Sequence, residues 1–178
     1  MRIISGKYKS RRIQVPPNLK ARPTTDFAKE GLFNILNNRI EWEKTTALDL
    51  FSGIGSIAFE LVSRGCSHVT SIEINPTHYQ FICKTKDLLN AEELYPLKTD
   101  VFKYLQLTNE KFDFIFADPP YDLPQGKTIP LIILQKQLLK PEGIFIMEHS
   151  KSVDFSDLPL FVEKRSYGNV HFSIFENR

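Results

Sequence analysis

Five short apolar runs, near residues 46–51, 68–74, 94–99, 112–117 and 143–148, alternate with stretches of helical periodicity near 56–64, 76–90, 101–106 and 128–139. This alternation constrains the fold more than any other feature. A strand, a crossover helix and a second strand in one sheet close as a right-handed unit with the strands parallel, so the five runs predict a parallel sheet with helices on its faces. The last two runs, Leu160 to Tyr167 and Val170 to Glu176, are separated only by Gly168-Asn169, which suits a tight hairpin. An α/β fold follows, with a seven-stranded, mostly parallel sheet ending in an antiparallel hairpin. Upstream, Ile3 to Val15 reads as a small N-terminal β-hairpin turning near Lys7 to Ser10, and Pro16-Pro17-Asn18 reads as a linker. A helix begins after Arg22-Pro23-Thr24, capped by Thr25 or Asp26, with Phe27, Gly31, Leu32, Ile35 and Leu36 on one side. The expected division is an arm, residues 1–22, and one domain, residues 23–178.

Open sheets of this kind collect ligands at the carboxyl ends of their strands, and Gly53, Glu73, Asp100 and Asp118 all fall there. The run Thr46 to Phe51 breaks into Ser52-Gly53-Ile54-Gly55 and then a helical pattern. Gly53 and Gly55 let the backbone approach a cofactor, and the next helix starts with free amides. Gly-x-Gly-x-x-Ala matches a dinucleotide fingerprint, in which pyrophosphate would sit on those amides. Asp49, inside the strand before the glycines, argues against that reading, because its carboxylate would repel pyrophosphate but suits the ammonium of S-adenosylmethionine. The chain is also too short for a dinucleotide domain plus a separate substrate domain. Glu73 can accept hydrogen bonds from ribose hydroxyls, and Asp100 can take an adenine amine, with Ile74 and Val101 as the apolar neighbours of the ring and Phe51 beside the turn. Either acid can also be read as a cap on the helix that follows it.

Asp118-Pro119-Pro120-Tyr121 follows the run Phe112 to Ala117. The tetrapeptide can be a turn closing a buried strand. It also has the chemistry for methylating an exocyclic amine, whose lone pair is delocalised into the base. The Asp118 carboxylate and the Pro119 carbonyl are acceptors that hold the amine hydrogens and favour its pyramidal form, Pro120 stiffens the loop, and Tyr121 offers a flat face for a base. The mechanism expected is direct in-line displacement with no covalent enzyme intermediate, and the proton leaves through Asp118.

The overall charge of +2 conceals a segregation. Residues 1–22 carry seven basic side chains, Arg2, Lys7, Lys9, Arg11, Arg12, Lys20 and Arg22, and no acidic one, leaving 16 basic against 21 acidic residues in the remainder. A one-signed arm with an interleaved Tyr8 suits an RNA phosphate backbone; the plainer alternative is a solvated terminal hairpin. With 42% hydrophobic and 25% charged residues the composition is that of an ordinary globular domain, and no stretch approaches a membrane span. The first residues lack the apolar core of a secretion signal, and Cys66 and Cys83 suit reduced, packed thiols, so a cytoplasmic protein is expected. His68, His78, His149 and His171 lack metal-ligand spacing, and no metal is expected.

The chain resembles the bacterial 16S ribosomal RNA guanine-N2 methyltransferases of the RsmD type. The resemblance covers nearly the whole sequence: Arg2-Ile3-Ile4-Ser5-Gly6-Lys7-Tyr8-Lys9-Ser10-Arg11-Arg12, Arg22-Pro23-Thr24-Thr25-Asp26 with Lys29-Glu30-Gly31-Leu32-Phe33-Asn34, Asp49 to Gly55, Glu73, and Asp118 to Tyr121. The glycine turn and the Asp-Pro-Pro-Tyr loop are shared by many amine methyltransferases; the two N-terminal blocks point to this family. It implies a Rossmann-like class I methyltransferase fold. It implies too a methyl group passed from S-adenosylmethionine to the N2 amine of one guanine in 16S RNA, presented on an assembled small ribosomal subunit; apart from the resemblance, a monomer is expected. Ile54 stands where the family often has serine or threonine, and Phe27 where it often has arginine. Rival readings are an N6-adenine or N4-cytosine methyltransferase of DNA, a protein-glutamine methyltransferase, and a non-catalytic ribosome-assembly factor that binds RNA on the same fold.

Overall fold

Seven strands form one sheet in the order β3-β2-β1-β4-β5-β7-β6 in the computed structural model, which describes residues 1–19, 25–37 and 39–178. They are β1 Thr46–Leu50, β2 His68–Ile72, β3 Leu94–Leu97, β4 Phe112–Ala117, β5 Leu139–His149, β6 Phe161–Tyr167 and β7 Val170–Glu176. The first five are mutually parallel, and β7 runs antiparallel to both of its neighbours. The chain leaves β1 toward β2 on one side and returns to pair β4 on the other, so the strand order reverses between β1 and β4. A crevice opens at the carboxyl end of such a reversal.

Helices α1 Asp26–Leu36, α2 Ser56–Arg64, α3 Pro76–Leu89, α4 Val101–Leu107 and α5 Ile129–Gln135 cover the two faces. Strand alternation sorts the core accordingly. Ala47, Phe114, Phe116 and Ile146 pack with α1 and α2, while Leu48, Leu50, Ile115 and Phe145 pack with α4 and α5. Asp49 shares the parity of Ala47 and so faces the α1 and α2 side. α2 is buried from Ser56 through Ser63, because the sheet lies beneath it and the N-terminal arm above it.

The arm is less of a hairpin than its alternation predicts: its ladder is reduced to one bridge, Arg2 opposite Arg12. Its turn falls at residues 7–10 as expected. Ile3, Tyr8 and Ile13 enter the core, whereas Arg2, Lys7, Lys9, Arg11 and Arg12 face solvent. Gly6, at φ +79°, lies so close to Ser63 that a side chain there would collide with the Ser63 carbonyl.

Three expectations change in detail. Phe27 is 66% exposed rather than under α1, because the Tyr167 ring fills the space at Gly31 and Phe27 meets that ring edge-on from outside, at 5.8 Å between centroids. Phe33 is buried in its stead. α5 ends at Gln135, since Gln137 turns left-handed (φ 52°) and β5 starts at Leu139, ahead of the predicted residue 143. No helix among the described residues is long and apolar enough to cross a membrane.

Candidate active site

β1 ends in a backbone that few side chains tolerate. Phe51, Gly53 and Gly55 all have positive φ (63°, 55° and 79°), and the bends are held by Ser52 N–H donating to Ile72 O at 2.9 Å and Gly55 N–H to Ser52 O at 2.7 Å. A Cβ on Gly53 would meet nothing within 4 Å, so the turn presents bare backbone to open space. Such strain persists where a ligand needs the backbone near it.

Acidic residues surround the turn. Glu73, nearly buried, accepts Gly53 N–H through Oε2 and Asn75 N–H through Oε1, each at 2.7 Å. It therefore braces the turn from the end of β2. It is not the cap of α3, which is Asn75, accepting from Thr77 and His78 amides. Each Glu73 oxygen keeps a second lone pair for a ribose hydroxyl. Asp49 is 1% exposed, and among the described residues its Oδ2 has no hydrogen-bond partner. Burial pushes its carboxyl up to about 7 against the opposing pull of Ser52 and of the Ala58 backbone, and the nearby charges of Asp118 and Glu73 add to the rise. An acid with one buried oxygen unpaired beside a bare glycine turn fits a cationic ligand.

Asp100 does cap α4, its Oδ1 accepting Lys103 N–H at 2.9 Å. That role does not exclude a ligand, since a carboxylate accepts at both oxygens. Ile74 is 62% exposed whereas Val101 is buried, so the two strand ends offer apolar surface at different depths. Phe51, just past β1, lies edge-on to Phe102 of α4, 6.4 Å between centroids.

The Asp118 loop joins this cradle directly. Asp118 N–H reaches Leu50 O at 3.4 Å, tying the end of β4 to that of β1. Pro119 is buried and Pro120 exposed. The following 3₁₀ turn, Pro124–Thr128, closes on the loop because Gly126 has no side chain: a Cβ there would approach the Pro119 ring to 3.2 Å. Tyr121 is 42% exposed, and its hydroxyl donates to Glu148 Oε1 at 3.2 Å. Asp49, Phe51, Gly53, Gly55, Glu73 and Asp118 thus gather at the carboxyl ends of the adjacent strands β2, β1 and β4, with Asp100 and Val101 past the end of β3. Arg22 lies outside the described residues, as do Pro23 and Thr24.

Sequence reasoning missed two features. Glu148, on β5, is drawn to the loop by Tyr121, and no motif signals it. Lys29 is fully buried beneath the arm, where it donates to the Arg2 carbonyl and to Ser56 Oγ (3.2 Å), with Glu60 Oε2 3.9 Å away. Burial lowers its pKa while the Glu60 charge opposes that. A lysine at a core position of an otherwise amphipathic helix was the available signal.

The strand order and the antiparallel last pair are those of the Rossmann-like methyltransferase fold. Residues 1–176 match the family described as "Conserved hypothetical protein 95". The chain belongs to this family, the RsmD-type ribosomal RNA methyltransferases. It is 29% identical over 181 residues to "Ribosomal RNA small subunit methyltransferase D" of Buchnera aphidicola subsp. Baizongia pistaciae, covering 99% of this chain and 92% of that one. Among solved structures, "Putative methyltransferase yhhF from Escherichia coli" superposes with a TM-score of 0.87 at 24% identity, covering 99% of this chain and 97% of that one. The Thermus thermophilus "16S rRNA N2 G1207 methyltransferase (RsmC)", in complex with AdoMet and guanosine, has a TM-score of 0.70 at 20% identity, over 89% of this chain and 45% of that one.

Proposed function

We propose that this chain transfers a methyl group from S-adenosylmethionine to the exocyclic N2 amine of a guanine in the 16S RNA of the small ribosomal subunit. The observation that carries the reading is the junction of the Asp118 loop with the cradle, through the Asp118–Leu50 hydrogen bond and the charge that Asp118 exerts on Asp49. The name of the Buchnera relative and the guanosine in the Thermus structure support the choice of substrate.

When bound, S-adenosylmethionine supplies an electrophilic methyl group. Asp49, ionised, holds the amino-acid ammonium; Glu73 accepts from the ribose; Asp100, Ile74 and Val101 receive the adenine. On the acceptor side, the Asp118 carboxylate and the Pro119 carbonyl accept hydrogen bonds from the two amine N–H groups, which would aim the nitrogen lone pair at the methyl group. Pro120 keeps the loop stiff, Tyr121 stacks on the extruded base, and Asp118 removes a proton. The solvent-facing Arg2, Lys7, Lys9, Arg11 and Arg12, with Arg22 beside them in sequence, bind RNA phosphates. A ribosomal substrate implies a cytoplasmic protein.

The test is incubation with methyl-labelled S-adenosylmethionine and unmodified small subunits, beside naked 16S RNA and duplex DNA, followed by identification of the labelled nucleoside. N2-methylguanosine from 16S RNA is expected. Label in N6-methyladenine from DNA would move the protein to a different substrate class, and cofactor binding without transfer to any of the three would refute the assignment.

A further inference from the structure

The Asp-Pro-Pro-Tyr loop accounts for holding an amine but not for choosing guanine, since adenine and cytosine carry exocyclic amines too. The difference lies one atom away. Beside its amine guanine presents N1–H, a donor, whereas adenine (N1) and cytosine (N3) present a lone pair at the corresponding ring atom. A second acceptor next to Asp118 would therefore select guanine and repel the other two.

Resting on the function proposed above, we infer that Glu148 is that acceptor and is the specificity-determining residue of the site. β4 and β5 are parallel, with Ala117 beside Met147, so Asp118 and Glu148 are the residues that follow on adjacent strands. Glu148 is 5% exposed, yet the 42%-exposed Tyr121 reaches it at 3.2 Å through its hydroxyl. The ring that stacks on the base and the carboxylate that reads its edge are thereby fixed to each other. Two neighbouring carboxylates match two neighbouring donors, N2–H to Asp118 and N1–H to Glu148. The hydrogen bond from Tyr121 occupies Oε1, and a carboxylate has acceptor sites beyond that one.

2-Aminopurine isolates the contact, because it keeps the 2-amine and replaces N1–H by a lone pair. Small subunits are reconstituted with 16S RNA carrying guanine or 2-aminopurine at the methylated position, and kcat/KM is measured for each. The wild-type protein is expected to favour guanine by about 10- to 100-fold, the usual worth of a hydrogen bond to a charged group. Glu148→Gln can still accept from Tyr121 through its oxygen, which turns its amide N–H toward the base, where it opposes N1–H and welcomes the lone pair. The ratio should fall at least about tenfold in that variant. Tyr121→Phe should lower the rate on both substrates and keep the ratio.

Equal use of both substrates by the wild-type protein would overturn the inference without reliance on any variant. So would a Glu148→Gln ratio equal to wild type, or a Tyr121→Phe ratio that falls as far as that of Glu148→Gln, since Glu148 would then act only through the tyrosine. Failure of the methylation reading is separable: it appears first, as wild-type protein that leaves no N2-methylguanosine in the guanine-containing particle.

Discussion

Asp49 and Glu60 are both buried carboxylates on the α1 and α2 side of the sheet, 1% and 0% exposed, and they are treated in opposite ways. Glu60 is saturated. Its Oε2 accepts Ile4 N–H at 2.8 Å, its Oε1 accepts Ser5 N–H and Arg64 Nε–H, each at 3.0 Å, and the Lys29 ammonium lies 3.9 Å away. Asp49 has an oxygen without a partner among the described residues and a carboxyl raised to about 7. A buried charge is tolerated when paired and costly when not. The saturated acid therefore marks where the chain holds its own shape, fastening the arm to α2, and the half-satisfied one is where the function proposed above places the cofactor's ammonium.

Breaking the saturated side should have the largest effect. Glu60→Leu strands a buried lysine and removes the acceptor of two arm amides, so urea unfolding should register a loss of about 3–5 kcal/mol. Adding Lys29→Met should recover much of it, because the orphaned charge goes too. A loss under about 1 kcal/mol for the single variant would mean that Glu60 contributes little to the fold. On the ligand side, Asp118→Ala should lower kcat by about 10²–10³ or more while leaving S-adenosylhomocysteine affinity near wild type. Retained turnover would end the role given to that carboxylate.

Asp49→Asn sharpens the contrast, since it should make the empty protein more stable and the loaded one weaker. The folded-state value, about 7, lies above the ordinary value of 3.8, so the native state binds more protons between those limits. Stability from this group falls as pH rises through that window and stays low above it. At pH 8 the asparagine variant should thus gain on the order of 2 kcal/mol, read as a higher Tm. The cofactor's ammonium favours the ionised carboxylate. S-Adenosylhomocysteine affinity in the wild type should therefore fall below pH 7, by up to about tenfold per pH unit, and the asparagine variant should lose that dependence. A variant that binds as tightly as wild type, with the same pH profile, would remove Asp49 from the cradle.

The same contrast explains what was legible in the sequence. Strand and helix order came through because it rests on local periodicity, and the hairpin because Gly168-Asn169 allows little else. The placement of Gly53, Glu73 and Asp118 was legible because each sits just past the end of a strand that periodicity already marks. The saturated side was not. Lys29 meets Ser56 and the Arg2 carbonyl, 27 residues away in each direction, and Glu60 meets Ile4, 56 residues away. Such pairings depend on which elements stack, and no spacing announces them. Glu148 was missed for the same reason, as its hydrogen bond from the Tyr121 hydroxyl joins residues 27 positions apart. Phe27 was misjudged because apolar periodicity cannot foresee that Tyr167 fills the space at Gly31.

The smallest expected effect tests whether the arm itself has two sides. Its inner face is locked by Glu60 and by Ser63, whose Oγ accepts Tyr8 N–H at 2.9 Å. Its outer face carries Arg11 and Arg12, both solvent-facing, the former 5.7 Å from the Tyr8 ring centroid. Replacing Arg11 and Arg12 by alanine should flatten the dependence of log affinity for 16S RNA on log salt by about 0.7–0.9 for each phosphate no longer neutralised, with little change in Tm. Lys7 is already paired with Glu93, so Lys7→Ala should move the slope less than either arginine. An unchanged slope in the double arginine variant would rule both out as phosphate ligands. A slope that falls together with Tm would mean instead that the outer charges help to hold the arm down, and the division between a locked face and a binding face would not apply to it.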